Sequence, residues 1–136
     1  MREALKLAQL AFEEDEVPIG AVIVSRGKII GKGYNLTERL HDATAHAEMQ
    51  AFTAATNFMG GKYLKDCVLY VTVEPCVMCA GASYWTQISR IVYGTKDEKR
   101  GASAFGSLYH PKTEIVSGVL REECAALITS FFRNKR

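Results

Sequence analysis

The chain has 136 residues, 48 % hydrophobic and 24 % charged, with a formal net charge of +2. That is an ordinary globular composition, long enough for a core without disulfide staples, and it fits a single domain over residues 1–136. No apolar run reaches the roughly 20 residues of a membrane span, and the start of the chain lacks a signal peptide's apolar stretch, so a cytoplasmic protein without membrane contact is expected. The small charge neither announces nor excludes a nucleic-acid partner. Positive residues cluster at the end of the chain, at Arg133, Lys135 and Arg136.

In chain order, Ala4, Leu5, Ala8, Ala11 and Phe12 recur at helical spacing and predict an amphipathic helix over 2–14. Pro18 and Gly20 end it. Two apolar runs, Ile19–Val24 and Ile29–Tyr34, flank the turn Arg26-Gly27-Lys28 and predict a β-hairpin. Residues 45–58, rich in Ala, Met, Gln and Phe, predict a helix stopped by Gly60-Gly61. The run CVLYVTV, Cys67–Val73, has the character of a buried strand. Pro75 suits the first turn of a helix running from Cys76 to about Thr86. Ile91–Tyr93 predicts a short strand, 97–112 reads as irregular, and Thr113–Val116 reads as a last short strand. Leu120–Phe132 predicts a closing helix, with acidic residues at its start and basic ones at its end, as the helix dipole favours. The order α-β-β-α-β-α-β-(β)-α predicts an α/β fold, a mixed sheet of about five strands with helices on both faces.

Two motifs carry chemistry. His46-Ala47-Glu48 and Pro75-Cys76-Val77-Met78-Cys79 each stand where a helix begins. A helix N-terminus favours thiolates, and C-x-x-C puts two sulfurs one turn apart. With His46 they form a Cys₂His set, which leaves a fourth zinc position open as catalytic sites do. S₂N ligation favours zinc over other divalent ions. Glu48 is two residues from His46 and so need not be a ligand. It can move protons beside the metal. Cys67 and Cys124 lie in apolar surroundings and read as buried thiols. Two other readings of C-x-x-C stand beside this one: a redox pair, or a structural zinc site completed by Cys67, His41 or His110.

The H-x-E…P-C-x-x-C pattern is the signature of zinc deaminases. Around it, Val17–Val22, Gly33-Tyr34-Asn35, His41–Glu48, Leu69–Ala82, Ser89–Gly94, Glu123–Leu127 and Phe131-Phe132-Arg133 resemble the bacterial tRNA-specific adenosine deaminases over nearly the whole chain. The resemblance implies a three-layer αβα, cytidine-deaminase-like fold. It also implies a cytoplasmic homodimer with one zinc per subunit, converting the wobble adenosine of a tRNA anticodon stem-loop to inosine by zinc-activated water. By motif position it implies zinc ligands at His46, Cys76 and Cys79 and a proton shuttle at Glu48. Asn35 and the backbone N–H of Ala47 would bind the flipped base, with a turn as the alternative role of Asn35. Asp97 would lie near the ribose and accept a hydrogen bond from its 2′-hydroxyl. Phe132 and Arg133 would contact RNA, while at least one of Phe131 and Phe132 packs the core. Two features depart from the pattern. The segment 102–113 is short, and Ser83-Tyr84-Trp85 is similar to guanine deaminases there. A deaminase of a free base or nucleoside, of guanine or cytosine type, is therefore the alternative, and a non-catalytic, zinc-stabilised RNA-binding module is a third reading.

Overall fold

In the computed structural model, which describes residues 1–135, helix α1 (Arg2–Glu13) buries Ala4, Ala8 and Ala11 along one face. Strands β1 (Gly20–Ser25) and β2 (Lys28–Tyr34) form the expected antiparallel hairpin. Its two connecting residues, Arg26 and Gly27, have φ of 51° and 75°. Two positive φ values in a row mark a turn whose twist matches that of the flanking strands. Helix α2 (Ala47–Met59), strand β3 (Cys67–Val73), helix α3 (Val77–Thr86) and strand β4 (Arg90–Thr95) follow. A 3₁₀ turn (Ala102–Phe105), absent from the sequence reading, interrupts the irregular segment before strand β5 (Glu114–Ser117) and helix α4 (Arg121–Asn134).

The helix expected from Cys76 begins one residue later, and Pro75 stands before its N-cap rather than inside its first turn. The cause is local. Cys76 keeps an extended backbone, φ −76° and ψ 178°, which lets it bridge Gly101 across the loop. The helix expected over 45–58 likewise starts at Ala47, with His46 as its extended N-cap.

The sheet order is β2-β1-β3-β4-β5, with β1 antiparallel to both neighbours and β3, β4 and β5 parallel. Helices α1 and α4 lie on one face, where the Phe12 and Phe131 rings meet edge to face at 6.0 Å. Helices α2 and α3 lie on the other, which makes the three-layer αβα arrangement. Burial of Ile23, Leu69, Val71, Phe52 and Ile91 between the sheet and these helices supplies the main stabilisation, since apolar area removed from water dominates folding.

Glycine sets how closely α2 approaches the sheet. A Cβ on Gly33 in β2 would lie 2.2 Å from the Ala47 carbonyl oxygen and 2.8 Å from Gln50 Cβ. The missing side chain thus lets the first turn of α2 rest on the strand, which places His46 and Glu48. Gly33→Ala is expected to destabilise the fold by about 2–3 kcal/mol, because the clash is with backbone and cannot relax cheaply. Urea unfolding checks this; a midpoint equal to that of the unaltered chain would show that α2 is not seated on Gly33.

Candidate active site

The site forms at the carboxyl end of β3, where the N-termini of α2 and α3 meet. Crevices beyond the carboxyl ends of parallel strands are where α/β folds bind ligands. His46 is the N-cap of α2 and Cys76 the N-cap of α3, and Cys79 lies in the first turn of α3. His46 Nδ1 stands 3.6 Å from Cys76 Sγ and 3.6 Å from Cys79 Sγ. Zinc bonds of about 2.3 Å to sulfur and about 2.05 Å to nitrogen, at a tetrahedral angle, separate N from S by about 3.6 Å. Both observed separations therefore fit zinc, with His46 Nδ1 as the ring atom that faces the two sulfurs. Among the described residues this is the one group of three or more His, Cys, Asp or Glu side chains whose ligand atoms converge. Three protein ligands match an open, catalytic type of site. Cys67 is buried and hydrogen-bonds to the Lys65 carbonyl, and His110 accepts the Lys112 N–H and packs at a tilt against Tyr84. Neither Cys67, His41 nor His110 joins the group, so the structural-zinc reading finds no fourth ligand.

Proton affinities of these groups reflect their close contacts. The hydrogen bond from Cys79, helped by His46, holds the Cys76 thiol down at about 4, against the effect of burial. The same bond to Cys76, together with burial and the nearby Glu48, pushes the Cys79 thiol up. Cys76 also raises His46. Metal uptake must displace the protons that the ligands hold. Glu48 is 4 % exposed, and burial raises its carboxyl to about 7, with the Cys76 charge adding to the effect. This carboxyl lies beside Cys79 but outside the ligand group. The separation arises because His46 is the extended N-cap of α2 whereas Glu48 lies within its first turn.

Asn35 is buried, and its side chain holds a turn: Nδ2 donates to the Val17 carbonyl at 3.3 Å and Oδ1 accepts the Thr37 N–H at 3.2 Å. Ala47 is fully buried in the first turn of α2, where helix N–H groups lack partners within the helix. Asp97 is half-buried, and its Oδ1 accepts the Lys99 and Arg100 N–H groups at 3.2 and 3.0 Å. Phe131 is buried against Phe12, whereas Phe132 and Arg133 are exposed. Lys135 pairs with Asp15 at the end of α1, and Arg136 lies outside the described residues.

Three residues near the site escaped the sequence reading. Glu16 and Glu74 are buried carboxylates whose oxygens accept backbone N–H groups of neighbouring loops. The Tyr109 hydroxyl is buried without a hydrogen-bond partner among the described residues. Burial raises this phenol first, with Glu74, Tyr93, Glu48 and Cys76 adding to it. Glu74 had one visible signal, since it follows the apolar run Cys67–Val73 directly before Pro75, whereas Glu16 closes the acidic run Glu13-Glu14-Asp15-Glu16 and reads there as surface. Tyr109 had none, because its position depends on how the 106–113 segment folds back.

The zinc-binding region of the cytidine and deoxycytidylate deaminases matches residues 1–95. The chain is 43 % identical to the tRNA-specific adenosine deaminase of Bacillus subtilis, over all of this chain and 88 % of that one. It is 44 % identical to the enzyme of the same name from Rickettsia bellii, over all of this chain and 99 % of that one. Both alignments run over 144 positions against 136 residues here, so each relative carries residues that this chain lacks. A solved structure from work on A-to-I editing by tRNA:A34 deaminases superposes with a TM-score of 0.86 at 40 % identity, covering 93 % of this chain and 96 % of that one. A guanine deaminase from Nitrosomonas europaea superposes with a TM-score of 0.85 at 25 % identity, covering 96 % and 81 %. Such matches, on a chain that already draws a histidine and two cysteines to zinc spacing at two helix starts, leave one assignment: it belongs to the zinc-binding cytidine and deoxycytidylate deaminase family.

Proposed function

We propose that the chain hydrolytically deaminates the wobble adenosine of a tRNA anticodon loop to inosine. The observation that carries the substrate is end-to-end identity above 40 % to enzymes named for that reaction. The chemistry rests on the His46–Cys76–Cys79 group with Glu48 buried beside it. Residues 1–136 act as a single deaminase domain, and the tRNA substrate implies a cytoplasmic setting.

His46, Cys76 and Cys79 would hold one zinc ion. When bound, zinc supplies a Lewis acid that makes water acidic enough to react near neutral pH. Glu48 takes a proton from the attacking water and returns it to the purine ring nitrogen. A second proton passes through the same carboxyl to the exocyclic amine, so that the new C6–O bond replaces C6–N and ammonia leaves. Burial of Glu48 keeps bulk water from competing for these protons. The Ala47 N–H and the Asn35 amide, which retains an unused donor, bind the base. An anticodon loop presents its adenosine unpaired, so turning it into the site costs little unstacking. Phe132 and Arg133 stand where the end of α4 meets the end of α1. From there Glu14–Arg39, at 2.8 Å, links to the 36–45 loop that leads into His46. That path supports RNA contacts by stacking and charge.

A homodimer is part of the same proposal. The outer face of α3 carries Val77, Tyr84 and Trp85, exposed to 47, 40 and 77 %, and a Cβ on Gly81 would meet nothing within 4 Å. A second copy of this face is its occupant. Trp85→Glu is expected to halve the mass seen by sedimentation, since loss of an aromatic anchor costs an interface about 2 kcal/mol or more. An unchanged dimer would put the contact elsewhere.

The test of the activity is inosine formation by the zinc-loaded chain on an anticodon stem-loop, with free adenosine, guanine and cytosine alongside. Inosine in the hairpin and no ammonia from the free bases is expected. The likeness to guanine deaminase gives the alternative its outcome: ammonia from guanine with the hairpin untouched would overturn the tRNA assignment.

A further inference from the structure

We propose that two buried glutamates outside the zinc group, Glu16 and Glu74, are positioning residues that bracket the substrate site, one holding each wall. The inference rests on the tRNA reading above for its substrate but not for its geometry. Glu74 is 4 % exposed and Glu16 1 %. Glu74 Oε1 accepts the Asp97 N–H at 3.2 Å and Oε2 accepts the Ser103 N–H at 2.9 Å. The segment between them is pressed onto the turn that joins β3 to α3, since Ala102 N–H donates to the Pro75 carbonyl at 2.8 Å and Gly101 bridges Cys76. Gly101 faces the carboxylate so closely that a Cβ there would lie 2.3 Å from Glu74 Oε1. On the other wall, Glu16 Oε1 accepts the Glu38 N–H at 3.0 Å and Oε2 accepts the Arg39 N–H at 2.8 Å. That loop closes on itself through Leu36 N–H to the Ala45 carbonyl at 3.0 Å and runs straight into His46.

The chemistry of the two brackets is the same. A carboxylate offers two acceptor oxygens and no donor, so it can satisfy two backbone N–H groups of one loop together. Burying such a charge is costly unless hydrogen bonds compensate it, and bonds to an ionised acceptor are the strong ones. Each loop borders a zinc ligand, Cys76 in one case and His46 in the other. Neither glutamate converges on the zinc group, so each acts through the backbone it holds. Glutamine keeps the volume but replaces one oxygen with NH₂, which would face an N–H donor and release one anchor.

The experiment compares Glu16→Gln and Glu74→Gln with the unaltered zinc-loaded chain. It reads KM and kcat on the hairpin, zinc content and amide hydrogen exchange. KM is expected to rise about 10- to 100-fold, the scale of a misplaced binding loop, with kcat at saturation and zinc content unchanged. Exchange should quicken at Ser103 in Glu74→Gln and at Arg39 in Glu16→Gln. Gly101→Ala perturbs the same contact from the loop side and should reproduce the Glu74→Gln result; it also decides the matter if Glu74→Gln fails to fold. Glu74→Asp, which keeps both acceptor oxygens, should recover part of the KM. An unchanged KM, or a fall in kcat together with zinc loss, would overturn the positioning role. Exchange is read without substrate, so unchanged exchange overturns the brackets themselves. A hairpin left untouched by the unaltered chain would sink only the substrate assignment.

Discussion

Glu48→Gln is expected to lower kcat on the hairpin by about 10³-fold, the typical scale of a positioned acid–base group, while zinc content and the unfolding midpoint stay near those of the unaltered chain. The expectation follows from two placements. Glu48 is buried beside Cys79, and it lies outside the ligand group, so its loss leaves the metal held. Glutamine fills the same volume and avoids a cavity, but it cannot accept and return a proton. Single-turnover assays with zinc-loaded protein separate the chemical step from product release. Turnover within tenfold of the unaltered chain would remove Glu48 from the mechanism. It would also favour a zinc-stabilised binding module over an enzyme.

Cys79→Ser has the other large effect. Serine is close in size to cysteine, but its hydroxyl is a poor zinc ligand at neutral pH, and Cys79 is fully buried, so no exposed group replaces it. After dialysis against a weak chelator the variant is expected to retain little zinc, against one ion per chain in the unaltered protein, and to lose turnover with it. Structural changes alone do not explain that outcome if Cys67→Ser and Cys124→Ser, at the other two buried thiols, keep both zinc and turnover. Zinc retained by Cys79→Ser would show that the ion binds elsewhere. Zinc loading of the unaltered chain should also weaken as pH falls, because ligands must lose their protons to bind. His46 and Cys79, whose proton affinities are raised by Cys76 beside them, give that dependence its sign.

The elements along the chain were legible because their signals are local. Ala4, Ala8 and Ala11 repeat at helical spacing, CVLYVTV has no polar alternation until Thr72, and the Arg26-Gly27 turn joins two β-branched runs. The zinc group was legible for a similar reason. Cys76 and Cys79 are tied by one helix turn, and His46 needed only a fold that brings a second helix start to the same edge. Boundaries moved by a residue or two where a cap was at stake. Cys76 left its helix because an extended residue can bridge Gly101.

Local spacing was enough for the order of elements and for the pairing of Cys76 with Cys79, since these follow from periodicity and from one helix turn. The folded arrangement was needed to show that Asn35 donates to Val17, that Phe131 is core and Phe132 is surface, and that Glu16 and Glu74 hold loops. Those outcomes depend on residues some 18 to 29 positions apart along the chain, or more than a hundred in the case of Phe12 and Phe131. The strand order β2-β1-β3-β4-β5 brings such residues together. Periodicity reports which face of an element is apolar, whereas a buried carboxylate is compatible with the fold only where two backbone N–H groups from a distant loop arrive to meet it.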